Sequence, residues 1–228
     1  MKLAVFYHLH PMGNWKLIYD SQMHKLCASG LYTAASHIHV GVNSGSNLEL
    51  PYALPKIQVA YNQDHLNEFD TLYAMHDYCL QNTDAKVLYF HCKGVSHKDD
   101  VREINVQAWR QYLEYFVVDN WQECVKLLDS WDCVGNEWGR PASWLKHDGE
   151  PHYSGNFWWA TAKYIAGLDK GYLQEKKRTH ERPGTYAEFW IGTKNPKAYC
   201  FHWQQDPDNL TGLYNFPINP ADYMREMK

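Results

Sequence analysis

Apolar residues along this chain recur first at strand spacing and then at helix spacing, and the two periods alternate through the first hundred positions. Lys2 to Tyr7 is a short apolar run suited to a strand, and it breaks in His8-Leu-His-Pro11-Met-Gly13, where proline and glycine signal a loop. Trp15 to Ser29 has the apolar spacing of a helix that stops at Gly30. Ala34 to Val42 alternates as a second strand, with Gly41, Asn43, Gly45 and Asn47 marking the loop after it, and Lys56 to Tyr61 reads as a third strand. Phe69 to Gln81 predicts a helix, and Lys86 to Phe90 a buried strand. Strand and helix in such alternation predict an α/β fold with a mainly parallel central sheet flanked by helices.

The second half has longer periods. Arg102 to Trp131 predicts one or two helices, with Trp109, Tyr112, Leu113, Phe116, Val117 and Trp121 on a core-facing stripe. Asp132 to Trp138 predicts a short strand and turn, and Gly139 to Pro151 a polar loop. The loop 152–159 is expected to lead into a helix from Ala160 to Leu168. The basic run Lys176 to Arg182, cut off by Pro183-Gly184, predicts a loop, the stretch from Tyr186 another ordered element, and Ala198 to Trp203 a last strand.

Composition narrows the functional classes. With 45% hydrophobic residues in 228 and no linker, one continuous core, hence one domain over 1–228, is expected. A net charge of -4 with mixed signs argues against a nucleic-acid partner, so any anion site must be local. Six cysteines without a CxxC pair suggest reduced thiols, and no apolar run reaches transmembrane length, so a cytoplasmic protein is expected. Aromatic residues make up 15% of the chain; most are expected in the core, and a few are candidates for packing on a sugar face.

The candidate chemistry starts where the strand Lys86 to Phe90 runs into His91-Cys-Lys93-Gly94-Val-Ser96. Ligands of α/β sheets sit outside the carboxyl ends of the strands, where a lysine suits phosphate and a glycine allows close backbone approach. The alternative is a satisfied strand-end histidine beside a solvated lysine. Ser154-Gly155-Asn156-Phe-Trp158-Trp159 offers an amide and two large rings for a polyhydroxylated ligand, or else a turn with tryptophans anchored in the core. Glu188, among Tyr186, Phe189 and Trp190, suits a general base in an apolar setting, or a first-turn glutamate of a helix. His202, between Phe201 and Trp203, is either a phosphate or metal contact or a structural histidine. Asp206-Pro-Asp208 has the letters of a metal-binding pair but reads as a turn, and HExxH, GxSxG, P-loop and GxGxxG patterns do not occur.

Taken in order, Glu68-Phe-Asp-Thr71-Leu72, the strand ending in His91-Cys-Lys93-Gly94, the Ser154 to Trp159 segment and Ala187-Glu188-Phe-Trp190-Ile resemble a group of glycosyltransferases of the GT-A fold from bacteria and large DNA viruses, over roughly residues 1 to 205. The resemblance implies a single Rossmann-like domain, with residues 1–100 binding a nucleotide-sugar donor and 101–228 binding a glycan or other hydroxyl acceptor. It implies Tyr7, His8, Tyr61 and Asn62 near base and ribose, joined on the donor side by His91, Lys93, Gly94 and His202. Ser154, Gly155, Asn156, Trp158 and Trp159 would bind the acceptor, with Glu188 as catalytic base and Lys93 neutralising the leaving diphosphate. Many relatives carry a DxD metal motif where this chain has His91 and Lys93, so no metal ligand and no required cofactor are expected, with manganese or magnesium as the alternative. Two classes follow: a transferase expected to move a hexosyl or deoxyhexosyl group with inversion, or a non-catalytic nucleotide-sugar or carbohydrate-binding module of the same fold.

Overall fold

The computed structural model describes residues 1–44, 48–51, 54–61, 68–96, 101–139, 149–179, 184–202 and 217–224. Asn62, Trp203 and Asp206 to Asp208 therefore lie outside the described residues.

The first half follows the pattern of its sequence. Strand β1 (Leu3–Leu9) is buried at every position, as a central strand covered on both faces must be. Helix α1 (Trp15–Ala28) ends before Gly30, whose φ of +78° turns the chain into a short helix α2 (Leu31–Ala34). That turn takes residues assigned to a longer strand, and β2 (His37–Val42) begins later than the alternation suggested. Strand β3 (Ile57–Tyr61), helix α3 (Phe69–Gln81) and strand β4 (Lys86–His91) match their predicted positions.

Helix α4 (Val101–Glu114) passes into a π-helical segment at Tyr115–Asp119, and α5 (Trp121–Leu127) follows. Strand β5 (Cys133–Gly135) leads to a small ladder of β6 (Trp138–Gly139) with β7 (His152–Tyr153), and then to β8 (Trp158–Thr161). Here the structure corrects the expected helix from Ala160: the chain is still a strand there, and α6 (Ala162–Ala166) starts where the Thr161 hydroxyl accepts the Tyr164 N–H at 3.2 Å. The basic run is corrected over 176–179, and 180–182 lie outside the described residues. Helix α7 (Lys170–Thr179) includes Lys176, because buried Leu173 anchors it and the Lys176 ammonium lies over the rings of Tyr172 and Tyr186. Helix α8 (Gly184–Phe189), a 3₁₀ turn at Trp190–Gly192, β9 (Ala198–Cys200) and α9 (Pro220–Tyr223) complete the described elements.

Seven strands form one sheet in the order β3-β2-β1-β4-β8-β5-β9. All pairs are parallel except those made by β8, which runs antiparallel to β4 and to β5. Period-2 alternation sends Val5, Tyr7, Leu88, Phe90 and Trp159 to the face covered by α1, α4 and the π segment, and Ala4, Phe6, Val87, Tyr89 and Trp158 to the face covered by α3 and α6. The fold is thus mixed α/β, with a mainly parallel sheet between helices. No helix among the described residues is long and apolar enough to cross a membrane.

Candidate functional site: a cleft at the switch point of the sheet

From β1 the chain builds outward through β2 to β3, and then returns to place β4 on the other side of β1. Strand order reverses between β1 and β4, and their carboxyl ends part to leave a crevice there. A cleft of about 300 Å³ occupies this position. His8 and His10 border it from β1, His91 to Ser96 from β4, Asn43 from the end of β2, Glu68 from the start of α3, and Gly184, Thr185 and Glu188 from α8.

Two of its side chains are fixed by hydrogen bonds that decide their chemistry. His8, 3% exposed, accepts from Asn43 Nδ2 at Nε2 (3.2 Å), leaving Nδ1–H to donate to Thr71 Oγ1 at 2.9 Å. Burial lowers its pKa to about 4, so the ring is neutral at pH 7. His91 Nε2 lies 2.9 Å from the carbonyl oxygen of Gly155, a pure acceptor, so Nε2 carries the proton and Nδ1 is bare. Burial first, and the nearby Lys93 ammonium second, lower the His91 pKa to about 4. A neutral His91 brings no charge to a diphosphate, which leaves the Lys93 ammonium as the cation of the cleft lining.

Lys93 is 8% exposed, and its Nζ stands 3.7 Å from the centroid of the Trp109 ring. The turn that carries it is clamped from behind: the Arg110 guanidinium donates to Lys93 O at 2.8 Å and sits 3.5 Å from the buried Glu114 carboxylate. Glu114 in turn accepts from Gln22 at 2.7 Å, and Gln22 also accepts the Tyr7 hydroxyl at 2.7 Å. Gly94, which borders the cleft, is required here for packing. Its φ is +96°, and a Cβ would fall 2.8 Å from Val106 Cγ1 on α4.

The Ser154 to Trp159 segment behaves differently from its predicted role. Ser154, Gly155, Asn156, Trp158 and Trp159 are all buried, and none borders the cleft. Trp158 and Trp159 are successive residues of a central strand, so their rings point to opposite faces of the sheet, each inside a core cluster. Neither ring has a face to offer a sugar, and the expected acceptor contacts are corrected accordingly. Trp159 Nε1 donates to Val117 O at 2.7 Å, a carbonyl of the π segment. Trp158 Nε1 donates to Asn156 Oδ1 at 2.7 Å, and Asn156 Nδ2 donates to Glu68 Oε2 at 2.7 Å. Gly155 offers its carbonyl to His91 and its N–H to Glu188 Oε2 at 3.4 Å. The segment is therefore a bracket behind the cleft that orients Glu68, His91 and Glu188.

Glu188 lies late in α8, past its first turn, and faces the cleft, which removes the helix-dipole explanation for it. Its Oε2 is 3.8 Å from Nε2 of His152, a buried ring whose Nδ1 donates to Glu150 O at 3.1 Å. Burial lowers the His152 pKa, so this neighbour is neutral and has a bare Nε2 beside the carboxylate.

Three other expected donor contacts stand apart. Tyr7 is fully buried under α1, with burial raising its pKa well above the usual range. Tyr61 is on the edge strand and donates to Leu48 O at 3.0 Å. His202 follows β9 and packs against the rings of Tyr112 and Phe116, away from the cleft lining. Glu68, His10, Asn43 and His152 were missed as site residues. Cys92, also in the lining, is no nucleophile, since burial raises its pKa to about 12. Among the described residues, no three His, Cys, Asp or Glu side chains converge as a metal cage.

Comparison with known proteins yields little chemistry. No curated protein matches the chain. Among solved structures, that of a 4-diphosphocytidyl-2C-methyl-D-erythritol synthase aligns over 98% of this chain and 96% of that one, at 10% identity and a TM-score of 0.39. Residues 16–218, nearly the whole length, match one family, and the chain belongs to it: Domain of unknown function (DUF8361).

Proposed function

We propose that the chain is a single-domain glycosyltransferase that binds a nucleotide diphosphate sugar in the cleft between β1 and β4 and transfers the sugar to a hydroxyl acceptor. The observation that carries this reading is the convergence, at the switch point of the sheet, of one ammonium, Lys93, with the carboxylate of Glu188. Lys93 sits where a diphosphate would develop charge as it leaves. Glu188 takes the proton from the acceptor hydroxyl; the oxygen attacks the anomeric carbon; the bond from that carbon to the phosphate oxygen breaks, and the diphosphate departs with the electron pair. A single displacement of this kind inverts the anomeric centre. The ammonium supplies positive charge without a metal, so transfer proceeds in EDTA.

The test is donor hydrolysis and donor-dependent thermal stabilisation across a panel of nucleotide sugars, with EDTA and with manganese. A ligand that binds the native state raises the melting temperature, and a transferase leaks sugar to water. Stabilisation without any hydrolysis or transfer would leave a binding module of the same fold. Hydrolysis lost in EDTA and restored by manganese would overturn the metal-free mechanism.

A further inference from the structure

Glu68 is the cleft carboxylate for which the transfer scheme has no use, and its two oxygens differ. Oε2 accepts the Tyr89 hydroxyl at 2.6 Å and the Asn156 amide at 2.7 Å. Among the described residues no hydrogen bond to Oε1 is formed, and the bare Nδ1 of His91 lies 3.8 Å from it. The Gly155 carbonyl dictates that His91 presents a lone pair at Nδ1, and Tyr89, Asn156 and Trp158 dictate which way the Glu68 carboxylate faces. Both residues border the cleft. The fold thus holds two acceptors 3.8 Å apart on the cleft wall.

Two adjacent acceptors call for a ligand with two adjacent donors. Phosphate fails, because it would meet an anion and a lone pair. A metal cation would meet the Lys93 ammonium, which lies close enough to depress the His91 pKa. Vicinal hydroxyls of a sugar ring fit: each donates one hydrogen, to Oε1 and to Nδ1, and their oxygens lie closer together than the acceptors do. We propose that Glu68 Oε1 and His91 Nδ1 form a subsite for a vicinal diol, the 2′,3′-diol of a ribose or that of the transferred sugar. This rests on the donor reading above and orients the ligand, with its sugar ring toward Glu68 and its phosphates toward Lys93.

Calorimetry tests it with ADP, CDP, GDP and UDP, their 2′,3′-dideoxy counterparts, UDP-glucose and methyl glucoside, on the wild-type chain, Glu68→Gln and His91→Gln. In Glu68→Gln the amide oxygen takes the place that receives Tyr89 and Asn156, and its NH₂ turns a cleft acceptor into a donor while the fold is kept. His91→Gln retains a donor for Gly155 O and removes the Nδ1 acceptor. Each substitution should weaken the diol ligand about ten- to a hundredfold, the usual worth of a hydrogen bond to a charged or buried group. The dideoxy nucleotide should change less than about threefold if the diol is the ribose. If instead UDP-glucose alone loses its advantage over UDP, the diol belongs to the transferred sugar. Equal loss for diol and dideoxy ligands with no loss of the UDP-glucose advantage, no loss for any ligand, or binding that needs manganese together with Glu68 would each overturn the subsite. A wild-type chain that takes no nucleotide but binds methyl glucoside through Glu68 would overturn the donor reading and keep the diol subsite, whereas binding neither would overturn both.

Discussion

The end of β4 and the start of β8 lie side by side at one end of the same sheet, joined by the pairing of Tyr89 with Trp158, yet they do opposite work. Past β4 the chain opens into the cleft, and His91, Lys93 and Gly94 line it. Ahead of β8 the chain runs beneath α4, where a Cβ on Gly155 would fall 2.7 Å from Leu113 and 3.3 Å from Trp109. Its polar groups are consumed by neighbours rather than offered to a ligand. Both stretches combine turn residues, amides or imidazoles and large rings. The lesson is that a run rich in hydrogen-bonding side chains is equally suited to be a site or the frame of one, and burial separates the two.

Substitutions can break or sharpen this contrast. On the cleft side, Glu188→Gln keeps size and hydrogen bonding but cannot take a proton. Turnover should fall about 10²- to 10⁴-fold while donor affinity survives, measured by product formation and calorimetry. Near-normal turnover would move the base to another carboxylate. On the frame side, Trp158→Ala should cost about 3–5 kcal/mol of stability in denaturant unfolding, because a fully buried ring and the donor that orients Asn156 are lost together. A stable variant with weakened acceptor binding would restore Trp158 to a ligand-contacting role.

Acid tests the burial of the strand-end histidines. Their folded pKa values, about 4 for both His8 and His91, lie below the ordinary 6.5, so between these pH values the unfolded chain binds more protons than the native one. Stability is therefore full above about pH 6.5 and declines as pH falls toward 4, by about 3 kcal/mol at most for each histidine. Thermal unfolding at pH 7 and pH 4.5, repeated on His91→Gln, reads this; a variant as acid-sensitive as the wild type would mean that His91 is charged in the native state. The smallest expected effect is that of Lys93→Ala, about ten- to a hundredfold in donor affinity by calorimetry, with the fold retained. Unchanged affinity would remove the ammonium from the donor site and leave it a packing role against Trp109.

Strand β1, helices α1 and α3 and strand β4 could be read from the sequence because local periodicity and tertiary burial agree there: a strand covered on both faces is apolar throughout, and a surface helix repeats every 3.6 residues. His8, His91, Lys93, Gly94 and Glu188 were also legible, since a polar residue directly after a buried strand, or a carboxylate among aromatic rings, is locally conspicuous. Strand β8 was not. Trp158 to Thr161 is four residues long and buried on both faces at nearly every position, so it shows neither alternation nor helical spacing, and its identity comes from the antiparallel partners on either side. Nor could sequence separate Trp158 as a hydrogen-bond donor to Asn156 from Trp158 as a sugar platform. Glu68 was beyond its reach for the same reason: the groups that aim its carboxylate, Tyr89 and Asn156, lie 21 and 88 positions away, and only the tertiary fold brings them within hydrogen-bonding range of it. Sequence by itself determined the strands and helices of the first half and marked the polar residues at the ends of β1 and β4; tertiary structure decided β8 and which polar groups border the cleft, because burial and hydrogen-bond satisfaction depend on neighbours far away in the chain.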